Sequence, residues 1–166
     1  GSRVAVVGGG ALGLLAVAGA RRMGAEVVAL EARHAHQWEA GERLGARAGT
    51  DGHYDVVVEA AGTPASLDRA IGLVAPRGTI VALGVHLGRV ELDWMPLFHR
   101  EARLIPSLGY CRHEDGRDMD HAAAMLAEDP EIARALITHR FPIEDADEAF
   151  RVAGDRASGA IRVVIE

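Results

Sequence analysis

The chain has 166 residues, 49% of them hydrophobic and 25% charged, which is typical of one globular domain and excludes a disordered chain. A formal net charge of −6, with no basic cluster, argues against a nucleic-acid-binding surface. One cysteine, Cys111, excludes an internal disulfide framework and a multi-cysteine zinc site, and favours a reducing, cytoplasmic location.

The first stretch, residues 4–20, is an apolar run of 17 residues that includes five glycines. It is barely long enough to span a bilayer, and a secretion signal would have a basic region before it and a cleavage site after it. Here Arg21 and Arg22 follow the run directly. We therefore expect a strand, a glycine turn and a helix, and we expect no membrane partner.

Short apolar runs rich in β-branched residues alternate with segments of helical pattern. Continuous apolar runs are typical of parallel strands that are covered on both faces. Strands that alternate with helices predict right-handed βαβ units, and hence an α/β fold with a doubly wound, mostly parallel sheet and helices on both faces. The predicted strands cover residues 4–7, 27–30, 56–58 and 79–83.

The predicted helices have recognisable ends. Two of them, over residues 11–23 and 36–44, end before a glycine, which is frequent just after a helix. The third begins after Thr63, a good N-cap, and has Pro64 in its first turn. Its buried face is predicted to consist of Leu67, Ala70, Ile71 and Val74.

The second half of the chain is less regular. Asp118 is predicted to cap a helix, and the character of the sequence changes again after Thr138, where a turn is expected. The predicted elements are a strand over residues 103–108, helices over 119–127, 131–136 and 146–153, and a last strand over 161–165.

Gly8, Gly10 and Gly13 form a G-x-G-x-x-G pattern directly after the first predicted strand. In a dinucleotide site the first glycine permits a tight turn, the second lets the pyrophosphate approach the backbone, and the third lets helix and strand pack closely. The N–H groups of Ala11 and Leu12, at the positive end of the helix, would then hold the phosphates.

Glu31 ends the second predicted strand, roughly 20 residues after the glycine pattern, where an acid is expected to bind the adenosine ribose. A carboxylate repels a 2′-phosphate, so NAD is favoured over NADP. Arg33 could pair with such a phosphate, which leaves NADP as the less favoured alternative. In the alternative without a ligand, Glu31 is a solvated acid and Arg33 is an exposed start to the second helix.

Two more loops follow predicted strands at their carboxyl ends, where open α/β sheets bind ligands. Ala61 and Gly62 follow the third strand, and Gly84 and Val85 follow the fourth. Both loops are small and apolar, which suits close approach to a ribose or a nicotinamide. Each could equally be a glycine turn with no ligand.

The chain resembles the cofactor-binding Rossmann domain of the medium-chain dehydrogenase/reductase family, which includes the zinc-type alcohol dehydrogenases. The resemblance covers most of the chain in the family's order. The matching segments are “GSRVAVVGGGALGLLA”, “MGAEVVALE”, “RLGARA”, “YDVVVEAAGTPASLDRAIGLVAPRGTIVALGV” and “THRFPIEDADEAFRVAGDRASGAIRVVIE”.

The resemblance implies roles for several residues. Glu31 should bind ribose, the loop at Gly62 should lie near the cofactor, and Val85 and Ser107 should lie near the carboxamide. The implied activity is NAD-dependent hydride transfer between an alcohol and a carbonyl compound. The substrate is a small molecule that this sequence does not name.

The resemblance also implies which functions belong to this chain and which belong to another domain of the family. Residues 1–137 are the dinucleotide-binding domain, and residues 138–166 are a tail that in the family returns to the catalytic domain. In the family an N-terminal GroES-like domain supplies the substrate pocket and the zinc ligands. We therefore expect no catalytic residue and no metal ligand here, and no activity of this chain alone. Family members pair as homodimers through the edge strand, here residues 103–108, with 92–98 nearby.

Two departures from the family pattern stand out. Only residues 49–53 separate “GARA” from “YDVVVEAAG”, where the family has a strand and a helix. We expect thin cover on one face of the sheet and an altered adenine side. Pro106 replaces a glycine that is common before the serine, which would alter the loop nearest the nicotinamide.

Two histidine-containing segments are weak candidates for metal ligands. His34 and His36, two residues apart on a predicted helix, should point to different faces. Residues 113–121, “HEDGRDMDH”, do not follow the spacing of a calcium loop, and an acidic helix start explains them better. We expect no metal site in either segment.

Three alternatives to the zinc-type dehydrogenase stay open. A zinc-free quinone or enone reductase belongs to the same family, and a non-catalytic NAD(H)-binding module would need no further domain. A methyltransferase that uses S-adenosylmethionine also has a glycine-rich first turn and an acid after the second strand.

Overall fold

The structure is a computed structural model that describes residues 1–114, 116–155 and 157–166. Its centre is one six-stranded sheet, in which every pairing is parallel and the order is β3-β2-β1-β4-β5-β6. The predicted α/β fold with a doubly wound, parallel sheet is therefore confirmed. The strands are β1 (Arg3–Val7), β2 (Val27–Glu31), β3 (Arg47–Ala48), β4 (Tyr54–Glu59), β5 (Val74–Ala82) and β6 (Arg103–Pro106).

Helices cover both faces of this sheet, as predicted. Among the described residues no helix is both long enough and apolar enough to cross a membrane. The helices are α1 (Ala11–Arg22), α2 (Ala35–Arg43), α3 (Pro64–Leu73), α4 (Trp94–Arg100), α5 (Asp118–Glu128), α6 (Pro130–Leu136) and α7 (Ala146–Gly154).

The central strand β1 contributes to two cores, one on each face. Val4 and Val6 pack into the core formed with α1, α2 and α6, while Ala5 and Val7 pack into the core formed with α3 and α4. Successive side chains of a strand point to opposite faces, so a continuously apolar strand fills both cores. This explains why the strands lack the alternation of a half-exposed sheet.

The cap predicted for the third helix is confirmed. Pro64 is the first residue of α3, and the Ser66 N–H donates to Thr63 Oγ1 at 3.1 Å. Val74, however, is not on this helix, because α3 ends at Leu73 and Val74 opens β5. Pro76, two residues further on, cannot continue a helix, and the backbone turns extended before it.

The role predicted for Asp118 is wrong. Arg117 is the N-cap of α5, and Asp118 is the first helical residue. The Asp118 carboxylate instead accepts hydrogen bonds from the Cys111 N–H at 2.8 Å and from His113 Nε2 at 3.1 Å. It therefore joins the start of α5 to the preceding hairpin, β7 (Arg112–His113) with β8 (Gly116–Arg117).

The end of the chain forms a small unit beside the main sheet. Where the sequence suggested a turn after Thr138, the structure has a strand, β9 (Ile137–Phe141), followed by a 3-10 turn (Ile143–Asp145) and α7. The last strand, β10 (Arg162–Ile165), pairs in parallel with β9 in a separate two-stranded sheet. We call residues 138–166 the tail.

The departure at residues 49–53 has a clear structural form. A two-residue strand, β3, precedes this segment and pairs with Ala29 and Leu30 of β2. Residues 49–53 then lead directly to β4 and form neither a helix nor a strand. On the face of the sheet that carries Ala5 and Val7, the helical residues of the core belong to α3 and α4.

Ile80→Ala is expected to destabilise the fold by about 2–5 kcal/mol, because Ile80 lies on β5 with no exposed surface and its removal leaves a cavity. The free energy of unfolding in urea measures the effect. Ile143→Ala is the matched control, since Ile143 is 65% exposed and its change should have little effect. Similar losses in both variants would contradict this assignment of the core.

Candidate functional site

The strand order brings three loop ends together at one edge of the sheet. β1 lies between β2 and β4, and the last residue of β1, Val7, is in register with Glu31 on one side and Glu59 on the other. Strand order reverses at this point, and in open α/β sheets ligands bind in the crevice outside the carboxyl ends of such strands. The candidate site therefore lies above Val7.

The glycine turn between β1 and α1 has the geometry that its sequence predicts. Gly8 has φ +113°, which side-chain-bearing residues rarely adopt. A Cβ on Gly13 would lie 1.8 Å from the Gly8 carbonyl oxygen, so only glycine fits where helix and turn meet. Gly10 is the N-cap of α1, and no side chain among the described residues caps that end. The N–H groups at the start of α1 are thus left for an anionic ligand.

A cavity of about 630 Å³ opens beside this turn. Five predicted site residues line it: Gly8, Gly10, Glu31, Arg33 and Ala61. The remaining predicted residues do not line this cavity and lie on α1 or just after β4, β5 and β6. These are Ala11, Leu12, Gly13, Gly62, Gly84, Val85 and Ser107.

Glu31 faces the cavity and is held by two partners that the sequence did not indicate. Its Oε2 accepts a hydrogen bond from Thr50 Oγ1 at 2.6 Å and pairs with Arg69 Nε at 2.8 Å. Arg69 also donates to Thr50 Oγ1 at 2.7 Å. Within the described part of the chain, Oε1 of Glu31 has no such partner. One carboxylate oxygen therefore stays available for a ligand.

Arg33 lies at the mouth of the cavity and is exposed. Its backbone N–H donates to Gln37 Oε1 at 3.3 Å. Its guanidinium group forms no hydrogen bond or ion pair with any residue that the structure describes. The site therefore holds one cation, Arg69, bound to Glu31, and another, Arg33, that is free to meet a ligand phosphate.

A second carboxylate, Glu59, lies at the end of β4 and is fully buried. Its Oε1 accepts hydrogen bonds from the N–H groups of Ala61 and Gly62, both at 2.8 Å, and from Ser66 Oγ at 2.7 Å. Its Oε2 contacts His86 Nε2 at 2.9 Å. Burial alone would raise the pKa of this carboxyl, but the four hydrogen bonds outweigh burial and hold the pKa below its ordinary value of 4.5.

Glu59 joins two loops that the sequence assigned to the site. We call residues 60–63 the β4 loop and residues 83–87 the β5 loop. The sequence singled out the loops for their glycines but missed Glu59, because a strand-end acid carries no local sign of burial. Ser107, at the end of β6, is tied to the same edge through its N–H, which donates to the Ala82 oxygen at 2.9 Å.

The tail also contributes to the cavity. Ala153, Asp155 and Ala160, near the end of α7 and before β10, line it together with the glycine turn residues. Sequence reasoning assigned no cofactor contact to this region. Nothing in its composition would have indicated one, since the residues are small or common surface types.

The described residues do not contain a group of three or more His, Cys, Asp or Glu side chains that could hold a metal ion. One expectation needs correction: His34 precedes α2 as its N-cap, so its ring stacks on that of His36, with centroids 5.5 Å apart, and does not point away. The 113–121 segment includes Asp115, which lies outside the described residues.

Comparison with known proteins decides the family. The sequence profile described as zinc-binding dehydrogenase matches residues 11–127, well over half of the chain. The chain belongs to the zinc-binding dehydrogenase family. The resemblance to the medium-chain dehydrogenases is thereby confirmed, and the methyltransferase alternative is wrong.

Individual members of the zinc-binding dehydrogenase family agree with this assignment. The L-threonine 3-dehydrogenase of Saccharopolyspora erythraea is 27% identical over 182 residues, covering 100% of this chain and 51% of that protein. The L-idonate 5-dehydrogenase of Escherichia coli has a TM-score of 0.86 at 25% identity, with 100% and 50% covered. A zinc-binding dehydrogenase of Sinorhizobium meliloti with bound NADP has a TM-score of 0.78 at 29% identity, with 100% and 53% covered.

The chain spans about half the length of the curated relatives that it matches. Its described residues include a glycine turn and a strand-end carboxylate, Glu31, that line one cavity. In this family the chain therefore corresponds to a cofactor-binding portion.

Acid should weaken the fold through Glu59. A carboxyl with a lowered pKa stabilises the folded state above its ordinary value of 4.5, and this stabilisation is lost as the pH falls through the lowered value. Glu59→Gln removes the ionised group, so the variant should be less stable near neutral pH by about 1–3 kcal/mol. It should also lose less stability than the wild type on acidification. Urea unfolding at neutral and acidic pH measures both effects.

Glu101→Gln is the control for this experiment, because Glu101 is an exposed carboxylate paired with Arg77. Its acid sensitivity should match that of the wild type. If Glu59→Gln also matched the wild type at every pH, the assignment of acid sensitivity to this carboxylate would be wrong.

Proposed function

We propose that the chain binds NAD(H) in the cleft beside the glycine turn and is the cofactor-binding part of an oxidoreductase that interconverts an alcohol and a carbonyl compound. The observation that carries the proposal is the arrangement around Val7: an uncapped helix start on one side and Glu31 at the end of the neighbouring strand. A 12-residue helix with free N–H groups attracts a pyrophosphate, and the carboxylate accepts ribose hydroxyls.

Eight of the twelve predicted site residues hold the cofactor directly in this proposal. Bound NAD⁺ supplies the hydride acceptor, its nicotinamide ring. The N–H groups of Ala11 and Leu12 hold the pyrophosphate, and Glu31 orients the adenosine ribose through Oε1. The β4 loop, with Ala61 and Gly62, and the β5 loop, with Gly84 and Val85, hold the nicotinamide half together with Ser107.

In this proposal the rest of the catalytic machinery, including zinc, belongs to a catalytic domain outside these residues. The support is the family membership together with the lack of any described cluster of three metal-ligating side chains. We further propose that the tail connects to such a domain, since β9 and β10 form a sheet of their own. We propose a reducing, cytoplasmic location, because the one cysteine, Cys111, is free and exposed.

NAD is the preferred cofactor in this proposal. A 2′-phosphate placed beside Glu31 would meet a carboxylate at short range, and this repulsion favours the plain ribose. Two cations reduce the preference without reversing it. Arg69 is already paired with Glu31, and Arg33 is exposed, so water and salt screen its charge.

A fluorescence titration with NADH and with NADPH tests the proposal. The wild type should bind NADH more tightly, and Glu31→Ala should weaken NADH binding by about tenfold or more, because hydrogen bonds to a charged group are lost. Arg33→Ala should weaken only NADPH binding. Glu26→Ala is the matched control, since Glu26 precedes the other end of β2 and lies far from the cleft. Preference for NADPH would contradict the cofactor assignment.

We also propose that the chain forms a homodimer through the free edge of the main sheet. β6 is the last strand in the sheet order, and an unpaired strand edge readily adds a second sheet. Large apolar side chains are exposed on this strand, just after it and on the adjoining α4. They are Trp94, Phe98, Ile105 and Leu108.

Ile105→Lys should convert the dimer to a monomer, because a charge would be placed on an edge that the proposal buries. Light scattering at concentrations on the order of tens of micromolar measures the mass. Ile143→Lys is the matched control, because Ile143 is also an exposed isoleucine, at 65% against 47% for Ile105, but lies on the tail. A monomeric wild-type chain would contradict the proposal.

A further inference from the structure

The Glu59 side chain lies between the β4 loop and the β5 loop and binds both of them. One carboxylate oxygen, Oε1, accepts the two N–H groups of the β4 loop, and the other, Oε2, contacts His86 of the β5 loop at 2.9 Å. Residues 59 and 86 are 27 positions apart in the chain. A single buried group therefore sets the distance between two loops on neighbouring strands.

The backbone of Glu59 reinforces the same junction. Its carbonyl oxygen accepts hydrogen bonds from the N–H groups of Leu83, at 2.8 Å, and Gly84, at 3.0 Å. A Cβ on Gly84 would lie 2.2 Å from the Gly62 nitrogen and 2.6 Å from Glu59 Oε2. The two loops are thus in direct contact, and neither can shift toward the other.

The direction of the Glu59–His86 hydrogen bond follows from the charge on Glu59. The lowered pKa of this carboxyl means that it is ionised near neutral pH, and an ionised carboxylate can only accept. His86 Nε2 therefore carries a hydrogen and donates it. A donor to a buried carboxylate has no water to replace it, since Glu59 has no exposed surface.

His86 holds the outer part of the β5 loop, residues 85–87, whose other side chains are exposed. Its side chain is 13% exposed, whereas its neighbours Val85 and Leu87 are 73% and 91% exposed. The Val85 carbonyl oxygen lies 2.8 Å from the position of a Cβ on Gly62, so this part of the loop borders the β4 loop directly. Without His86, the outer part of the loop would lose its side-chain hydrogen bond to Glu59, while Leu83 would stay packed against the core.

We propose that Glu59 and His86 act as a pair of positioning residues that hold the β5 loop, and Val85 with it, in place for the nicotinamide end of the cofactor. The inference rests on the proposed function, because it takes NAD(H) as the occupant of the cleft. Neither residue contacts the reacting atoms. In this proposal the pair acts on the nicotinamide half, because Glu31, which would bind the adenosine ribose, lies on the opposite side of Val7 from Glu59.

The proposal is tested by comparing a ligand that has the nicotinamide half with a ligand that lacks it. Calorimetric titrations compare NADH with ADP, which contains the adenosine and pyrophosphate groups but no nicotinamide. His86→Ala should weaken NADH binding roughly threefold to tenfold and leave ADP binding unchanged. His86→Gln, whose amide can donate to Glu59, should restore most of the NADH affinity. In a Glu59→Gln background, His86→Ala should have a much smaller effect, because the two residues act together.

His113→Gln is the matched control, since it alters another histidine–carboxylate contact, with Asp118, on the exposed hairpin. It should bind both ligands as the wild type does. Equal loss of NADH and ADP affinity in His86→Ala would overturn the inference in favour of a general structural role, and so would unchanged NADH affinity. A wild-type chain that binds neither ligand would overturn the proposed function, and this inference with it.

Discussion

The register of β1 between β2 and β4 is the constraint on which the rest of the structure depends. It places Glu31 and Glu59 at the same level, on either side of Val7 and the glycine turn. Because side chains alternate along a strand, a slip of one residue would exchange the two cores and move both carboxylates away from the turn. The two faces of β1 are both apolar, and the buried residues on each face maintain this register.

Glu31 and Glu59 have the same side chain and equivalent positions in this register, but they differ in their exposure and in their partners. Glu31 is about one-third exposed (37%), and one of its oxygens is free for a ligand. Glu59 is fully buried, and all of its hydrogen bonds are with the protein. Burial determines the difference: an accessible carboxylate can exchange water for a ligand, whereas a buried one must find permanent partners in the fold.

The parts of the structure that the sequence predicted are those that local patterns specify. The strands of the sheet, the Gly8 turn and the Thr63 cap each depend on residues within a few positions of one another, so spacing alone reveals them. Glu31 was predicted because the distance from the glycine turn to the second strand end is set by one helix. The same reasoning failed for Asp118, whose carboxylate has a better partner in the Cys111 N–H of the preceding hairpin.

What the sequence did not reveal depends on contacts between distant residues. Arg69 reaches Glu31 across 38 positions and His86 reaches Glu59 across 27, and neither separation repeats a local pattern. β3 escaped notice because two residues carry no periodicity. These features follow from strand order and register, which become visible only when the sheet is assembled.

The tail residues that line the cavity couple the binding of a ligand in the cavity to the docking of the tail. Ala153, Asp155 and Ala160 form part of the wall, so a ligand in the cavity contacts both the sheet and the tail. Such a ligand stabilises the docked tail, and by thermodynamic reciprocity an undocked tail lowers ligand affinity by the same factor.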